Sequence, residues 1–440
     1  MIKIKNSSTN KDVVFDQKKL TIYNCGPTVY NYVHIGNVRP IITMDILYRF
    51  AKFMGMDVFY THNITDVDDK IIMRAKEEKK DELELSRFYY EKYLEVLDAL
   101  NIKRMDVLPK VTDNIDDIIA FVKLLVSKNK AYIVDGDVYF DLSSAKEYGS
   151  VSHQKIENLL EGVRKEKDDK KHYPLDFVLW KKTKEGINWK TEWNDHGRPG
   201  WHTECVVLIN KYIGNQVDIH GGGVDLKFPH HENEDAQNKA AYDKPLAKCW
   251  MHVGHINVNG EKMSKSLNNF VLAKDILAKY EPNYIRWFFY QTTYQSPLNF
   301  SFEALDASKA ELLKIIKSIN NTLINYYWLT NKTNINRTKE LPGGFVKALE
   351  EDLNLPNGVK EIWSISKALT NLIRTKDIKG LEKALNELLN MFDIFGLKYT
   401  NILEDKNIKQ LVDNWKASLD TKDYATSDKI RKQLQDKEII

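Results

Sequence analysis

The chain has 440 residues, 42% of them apolar and 29% charged, with a net charge of only +3. That length accommodates two or three domains with at least one large core, and the apolar content excludes a disordered chain. No apolar run reaches membrane-spanning length, and the near-neutral charge balance does not by itself argue for a nucleic-acid partner.

The opening Met1-Ile2-Lys3-Ile4-Lys5 lacks the apolar stretch of a signal peptide, so no membrane association and a cytoplasmic location are expected. Three cysteines are too few for a disulfide framework, which leaves each as a ligand or a core residue. Leu20-Thr21-Ile22-Tyr23-Asn24 reads as a short buried strand, broken at Gly26-Pro27. An apolar helical pattern follows over 41–54. Asp57-Val58-Phe59-Tyr60 is a second strand, with Asn63-Ile64-Thr65-Asp66-Val67-Asp68-Asp69-Lys70 as its exit loop. Strand, helix, strand at this spacing is a βαβ unit and predicts a Rossmann-like parallel sheet. Ligands of such sheets lie beyond the carboxyl ends of the strands, where Cys25, His34 and Asn63 fall.

Helical patterns continue over 85–101 and 114–130. Two strand-like runs, Ala131-Tyr132-Ile133-Val134 and Asp137-Val138-Tyr139-Phe140, flank Asp135-Gly136, a hairpin turn. The charge run over 164–171 is too polar to bury and reads as a solvated loop. Residues of about 106–199 form an insertion into the sheet domain. The sheet resumes with Val217-Asp218-Ile219-His220 and Cys249-Trp250-Met251-His252-Val253. A hairpin over 256–262, turning at Asn259-Gly260, delivers the chain to Lys262 and opens a segment that extends to 303. From Ala304 the patterns are helical and amphipathic, broken at Pro342-Gly343-Gly344, Pro356 and Thr421-Lys422. The expected class is α/β: a sheet domain over 1–303 with an insertion, then an all-helical domain over 304–440.

Two runs suit a nucleotide triphosphate. Phosphoryl groups are held by backbone N–H at a helix start and by Lys or His donors. His34-Ile35-Gly36-Asn37 lies just before an apolar helix, with Gly36 permitting close approach. Lys262-Met263-Ser264-Lys265-Ser266 follows the hairpin, where its lysines can close over phosphates. For metal binding, His230 and Glu234 have i, i+4 spacing and share one face of a helix. Cys25 and Cys205 each adjoin an expected strand end or a glycine turn, and two sulfurs with an imidazole and a carboxylate suit zinc. These residue types leave a second reading open, since a strand-end cysteine is also an ordinary small core residue. Cys249, inside a strand, is expected in the core. His220-Gly221-Gly222-Gly223 is either a plain loop or a place where backbone approaches a ligand.

Together, Asn24-Cys25-Gly26-Pro27-Thr28-Val29-Tyr30, Gly200-Trp201-His202-Thr203-Glu204-Cys205 and the run His220-Gly221-Gly222-Gly223-Val224-Asp225 through Pro229-His230-His231-Glu232-Asn233-Glu234 resemble the cysteinyl-tRNA synthetases, a class I aminoacyl-tRNA synthetase family. Pro174-Leu175-Asp176-Phe177-Val178-Leu179-Trp180-Lys181 and the 63–70 loop carry the same resemblance. It covers about 20–301, and more loosely the helical end through Asp352-Leu353-Asn354 and Asp423-Tyr424-Ala425. Asn37 stands where the family often has His, Asn268 where it often has Gly, and many relatives continue beyond Ile440.

The resemblance implies a ligase that activates L-cysteine with ATP and passes it to tRNA(Cys). It makes Cys25, Cys205, His230 and Glu234 the ligands of one Zn2+ per subunit, and Mg2+ the companion of ATP. It assigns His34, Gly36 and Asn37 to the ATP phosphate and adenosine region, and Lys262, Met263, Ser264, Lys265 and Ser266 to the pyrophosphate. Trp201, His202, His220, His231, His252 and His255 are implied around the amino acid and its adenylate. The helical end becomes the tRNA-binding and anticodon-binding domain of a monomer. The rival of the same architecture is a cysteine ligase with an amino-sugar acceptor; the long helical end favours tRNA.

Overall fold

Strand Lys19–Asn24 is flanked by Asp57–His62 on one edge and Val217–Gly223 on the other, and Ala247–Val253 completes a four-stranded sheet in which every pair is parallel. The computed structural model describes residues 1–145, 147–157, 159, 170–263 and 269–440, with Lys262 described in its backbone alone. A parallel sheet of this kind is covered on both faces, so its strands are apolar runs: Leu20, Ile22, Val58, Ile219, Cys249 and Met251 are all buried. Cys249 is the expected core cysteine. One compact unit comprises Met1–Asn257, Lys262–Lys279 and Gln295–Pro297; the other comprises Val258–Glu261, Tyr280–Tyr294 and Leu298–Ile440.

Several boundaries differ from the sequence pattern for local reasons. The helix expected over 41–54 is Ile35–Phe53, so Ile35, Gly36 and Asn37 form its first turn instead of preceding it. Pro40 suggests a later start because proline disfavours a helical residue before it. It is accommodated inside the helix, where it removes only the N–H that would reach the Gly36 carbonyl. The exit loop over 63–70 gives way at Asp69 to a helix, Asp69–Glu78, capped by the Asp68 carboxylate. The strand expected over 217–220 runs on to Gly223, because pairing of Gly221 with Met251 and Gly222 with His252 keeps the glycine run extended. Cys205 is not at a strand end or turn; it lies within helix Trp201–Tyr212. The hairpin of Ile2–Asn6 with Lys11–Phe15 has no counterpart in the sequence reading.

The insertion contains an antiparallel sheet of Ala131–Val134, Asp137–Phe140, Phe177–Lys182 and Gly197–Pro199. Its expected turn has both Asp135 and Gly136 at positive φ, 52° and 90°, as the tight hairpin requires. Of the charge run over 164–171, only 170 and 171 fall among the described residues.

In the second unit, Asn259 and Gly260 make the expected positive-φ turn, at 52° and 85°. Helix Phe302–Thr330 is followed by Gly343–Glu350, Leu355–Thr375, Ile378–Ile394, Lys406–Asp420 and Tyr424–Asp436. The unit resumes at Tyr280, ahead of 304, because helix Pro282–Phe289 belongs with these helices: Trp287 donates to Glu311 at 3.0 Å. Arg286 is fully buried there and donates through Nε to the Phe395 carbonyl and the Tyr290 hydroxyl, both at 2.8 Å. Gly396 has φ of +66°, and a Cβ on it would strike that guanidinium. Gly396→Ala is expected to lower unfolding stability by about 2 kcal/mol in a denaturant titration. An unchanged midpoint would contradict this packing.

Candidate active site

Past the carboxyl end of strand Lys19–Asn24, Cys25 is fixed by its own N–H on the Gly221 carbonyl of the neighbouring strand, at 3.1 Å. Its Sγ is 3.7 Å from Cys205 Sγ and 3.8 Å from Glu234 Oε1. Cys205 Sγ is 3.7 Å from His230 Nε2, which in turn is 2.8 Å from Glu234 Oε1. Helix Trp201–Tyr212 supplies Cys205, and helix His230–Tyr242 supplies His230 and Glu234 from successive turns of one face. The four expected ligands therefore come together.

Whether they fit an ion can be judged from the edges of the cluster. Zinc bonds of ~2.3 Å to sulfur and ~2.0 Å to nitrogen, in a tetrahedron, separate the donors by about 3.3–3.8 Å. Three of the four measured edges lie in that interval, and the fourth is a hydrogen bond that a bound ion would replace. The donor set and its spacing fit a soft divalent cation. A second set, Cys25, His220, His231 and Glu234, also has its donor atoms within 4.8 Å of one another and shares two residues with the first.

The cluster is set in a ring of histidines. His220 Nε2 is 2.8 Å from Glu234 Oε2, so the carboxylate is held between two imidazoles with no solvent exposure. His231 approaches Cys25 Sγ at 3.3 Å through Nε2 and His252 at 2.8 Å through Nδ1. His202 Nδ1 is 3.1 Å from His230 Nδ1, and Trp201 stacks on the His230 ring with centroids 4.0 Å apart. His255 is drawn in only through its carbonyl, 3.4 Å from Arg39 Nη1. Glycine makes room for these rings: a Cβ on Gly222 would lie 3.0 Å from His231 Cε1.

Charge follows from this geometry. Burial opposes ionisation of Glu234, but His230 and His220 hold its carboxyl well below the usual range. Burial likewise works against a charged His230, and Glu234 with Cys205 overcomes it to raise the ring to about 10. Burial pushes the Cys25 thiol well up, with Cys205 adding to it. For Cys205 burial is outweighed by hydrogen bonds with Cys25 and His230, which bring it to about 7. Burial, helped by the charge of His230, lowers His202 to about 3; burial, helped by Lys227, does the same to His252. Apart from Cys205, which is poised to ionise around neutral pH, each of these groups thus has a fixed charge state there.

Of the second phosphate-type run, Met263 lies against the first. His34 caps the helix Ile35–Phe53, and Asn37 turns its side-chain oxygen back to accept the His34 N–H at 3.2 Å. A Cβ on Gly36 would lie 3.0 Å from the Met263 methyl. Behind the lysine run, Ile35 N–H donates to the Val271 carbonyl and Ala273 N–H to that of Val33, both within 3.0 Å. Burial lowers His34 to about 4, so the ring is neutral. Ser264, Lys265 and Ser266 lie outside the described residues, as does the Lys262 side chain. Arg39, missed in the sequence, is buried and donates to the Gly254 and Ser296 carbonyls, both at 2.8 Å. Its position five residues after His34 on an apolar helix was the available signal.

Among the described residues the site thus combines a parallel sheet, a sulfur–imidazole–carboxylate cluster beyond its strand ends and a helix start close to Met263. A family model described as the tRNA synthetases class I (C) catalytic domain matches residues 11–310, and the chain belongs to that family. It is 46% identical to the Cysteine--tRNA ligase of Malacoplasma penetrans over 99% of this chain and 98% of that one. The Cysteine--tRNA ligase of Ureaplasma parvum is also 46% identical, over 98% and 99%. In fold the chain is similar to Mycobacterium tuberculosis methionyl-tRNA synthetase in complex with methionyl-adenylate, with a TM-score of 0.62 at 13% identity over 86% and 90% of the two chains.

Glu232 was also missed, because a lone glutamate on a helix reads as a solvated residue. It is buried and accepts the N–H groups of Gly149, Val151 and Ser152 at 2.8, 3.0 and 2.6 Å, tying the insertion to the helix that carries His230 and Glu234. Glu232→Ala would leave those donors unpaired and is expected to lower stability by about 3 kcal/mol in urea unfolding. Protection of the 149–152 amides from hydrogen exchange should fall with it; unchanged protection would contradict the anchoring role.

Proposed function

We propose that this chain is a cysteine--tRNA ligase that joins L-cysteine and ATP to give cysteinyl-adenylate and pyrophosphate, then esterifies the 3′-terminal adenosine of tRNA(Cys). One observation carries the choice of amino acid: two thiols, His230 and Glu234 converge in a buried cluster past the strand ends. The named relatives, matched from end to end, supply the acceptor. They give an amino-sugar acceptor no support.

Cys25, Cys205, His230 and Glu234 would hold the ion. Zinc bound there supplies affinity for a thiolate that a serine hydroxyl cannot match, where shape alone would separate the two amino acids by about 1–3 kcal/mol. The chain's own residues do the rest. Trp201, His202, His220, His231 and His252 enclose the amino acid and its adenylate. The start of helix Ile35–Phe53, with His34, Gly36 and Asn37, receives the phosphates of Mg2+–ATP at the positive end of the helix dipole. The carboxylate of cysteine attacks the α-phosphorus, the bond to the pyrophosphate oxygen breaks, and Lys262 and Lys265 balance the charge that builds there. Met263, Ser264 and Ser266 shape that loop. The helices beyond Phe302 are the tRNA-binding part. The enzyme works as a monomer, in the cytoplasm; among the described residues no helix is long and apolar enough to cross a membrane.

Three outcomes test this reading. The purified protein should form cysteinyl ester on tRNA(Cys) with cysteine and ATP; no ester on tRNA, with product on an amino sugar instead, would overturn the acceptor. Lys265→Ala should slow cysteine-dependent ATP–pyrophosphate exchange by on the order of 10²–10³ and leave the cysteine Kd nearly unchanged. Equal damage to both would contradict a role confined to the transition state. Cys205→Ser should lose bound metal and discrimination against serine together; a variant that keeps its metal yet accepts serine would make the ion structural only.

A further inference from the structure

The run over 63–70 carries six polar side chains, and five of them have partners inside the protein. Asn63 Oδ1 accepts the Gly26 N–H at 2.8 Å, Thr65 Oγ1 donates to Glu204 at 2.9 Å, and Asp66 accepts the Thr112 N–H at 3.0 Å. Asp68 caps helix Asp69–Glu78 by accepting the Lys70 backbone N–H at 2.8 Å. Asp69 pairs with Arg198 and, at 3.3 Å, with Lys181. Lys70 is the exception: it is exposed, and among the described residues its ammonium has no carboxylate or hydrogen-bond partner.

What holds Lys70 is a pair of rings. Its Nζ lies 5.8 Å from the Tyr30 centroid and 5.9 Å from that of Trp201. At that range the faces of aromatic rings attract a cation. His230 stacks against the Trp201 ring, while the indole is still 36% exposed, so Trp201 lies between the buried cluster and solvent. Tyr30 stands midway along the stretch that leads from Cys25 to His34. The two rings therefore keep the ammonium at the mouth of the pocket. The place does not suit a cation by itself: Lys70 is in the first turn of a helix, where the aligned peptide dipoles present positive charge. An ammonium left uncompensated there is placed to meet an anion that the chain does not supply.

Which anion follows from where the substrates go. The triphosphate is received at the start of helix Ile35–Phe53 and by the lysine run, and the thiol by the buried cluster. The remaining polyanion is the acceptor RNA. Its terminal ribose hydroxyl must reach the acyl carbon inside the pocket, which leaves the phosphate on the 5′ side of that ribose at the mouth. We propose that Lys70 binds this phosphate and so positions the end of the RNA for transfer. The proposal rests on tRNA being the acceptor. The carboxylate of cysteine is the other anion within the pocket, and the experiment separates the two.

Full-length wild type, Lys70→Ala, Lys70→Gln and Lys70→Arg are compared in two assays. Cysteine-dependent ATP–pyrophosphate exchange needs no RNA, and both neutral variants should keep the wild-type rate, which also shows that they fold. Transfer from preformed cysteinyl-adenylate to subsaturating tRNA(Cys) should slow roughly tenfold in them, the loss of one charge-assisted contact. Repeated across a range of about 50–200 mM KCl, the slope of log rate on log salt should become shallower by about 0.7, as for one phosphate of a single strand. Lys70→Arg should keep the wild-type slope. Neutral variants whose transfer rate and slope match the wild type overturn the proposal. So does a loss of exchange as large as the loss of transfer, which would put Lys70 on the cysteine carboxylate. A wild type that exchanges but forms no ester on tRNA removes the acceptor itself, and the proposal with it.

Discussion

A carboxylate with no contact to solvent, Glu234, lies between the imidazoles of His230 and His220 and within reach of Cys25. Everything around the sheet ends answers to that arrangement. A buried charge stripped of one partner destabilises a fold by about 3–5 kcal/mol, so neither imidazole is dispensable while the carboxylate stays. Apolar side chains of the same volume would make a more stable core. The polar cluster is therefore a functional feature set into a fold stabilised elsewhere, by the buried strands and the helices over them.

The fold brings these groups together from one strand end, two helices and two adjacent strands. Cys25 leaves a central strand, Cys205 and His230 sit in the early turns of two helices, and His220 and His252 lie in adjacent strands. Gly221 and Gly222 keep the strand surface bare; a Cβ at Gly221 would strike Met44, and one at Gly222 would crowd His231. The insertion contributes through Glu232, whose carboxylate gathers three backbone N–H groups. Histidines in this ring thus do two things: His220 and His230 flank Glu234, and His230 and His231 lie against the sulfurs.

Much of this was legible in the residues alone. The βαβ unit, the hairpin turns at Asp135-Gly136 and Asn259-Gly260, and the core position of Cys249 follow from periodicity and turn chemistry, and the structure has them. The i, i+4 pair His230 and Glu234 needed only a helix. What failed to show was whatever long-range packing decides. Gly221 to Gly223 look like a loop until the neighbouring strand pairs with them. Convergence of Cys25 with Cys205, 180 residues apart, has no local signature at all. Glu232 belongs to the same class: it acts through partners remote in sequence, and nothing in its own neighbourhood marks it, whereas Arg39 had its place on an apolar helix as a signal.

The central claim is that a sulfur-seeking ion, caged by Cys25, Cys205, His230 and Glu234, distinguishes cysteine from serine. Replacing that ion with Co2+ makes the ligand set visible, because thiolate-to-cobalt charge transfer absorbs in the near ultraviolet. Titrating the cobalt protein with each amino acid in turn reads the claim directly. The account predicts a band from two thiolates that grows when cysteine is added and does not move with serine. An identical response to both, or no thiolate band at all, would contradict it.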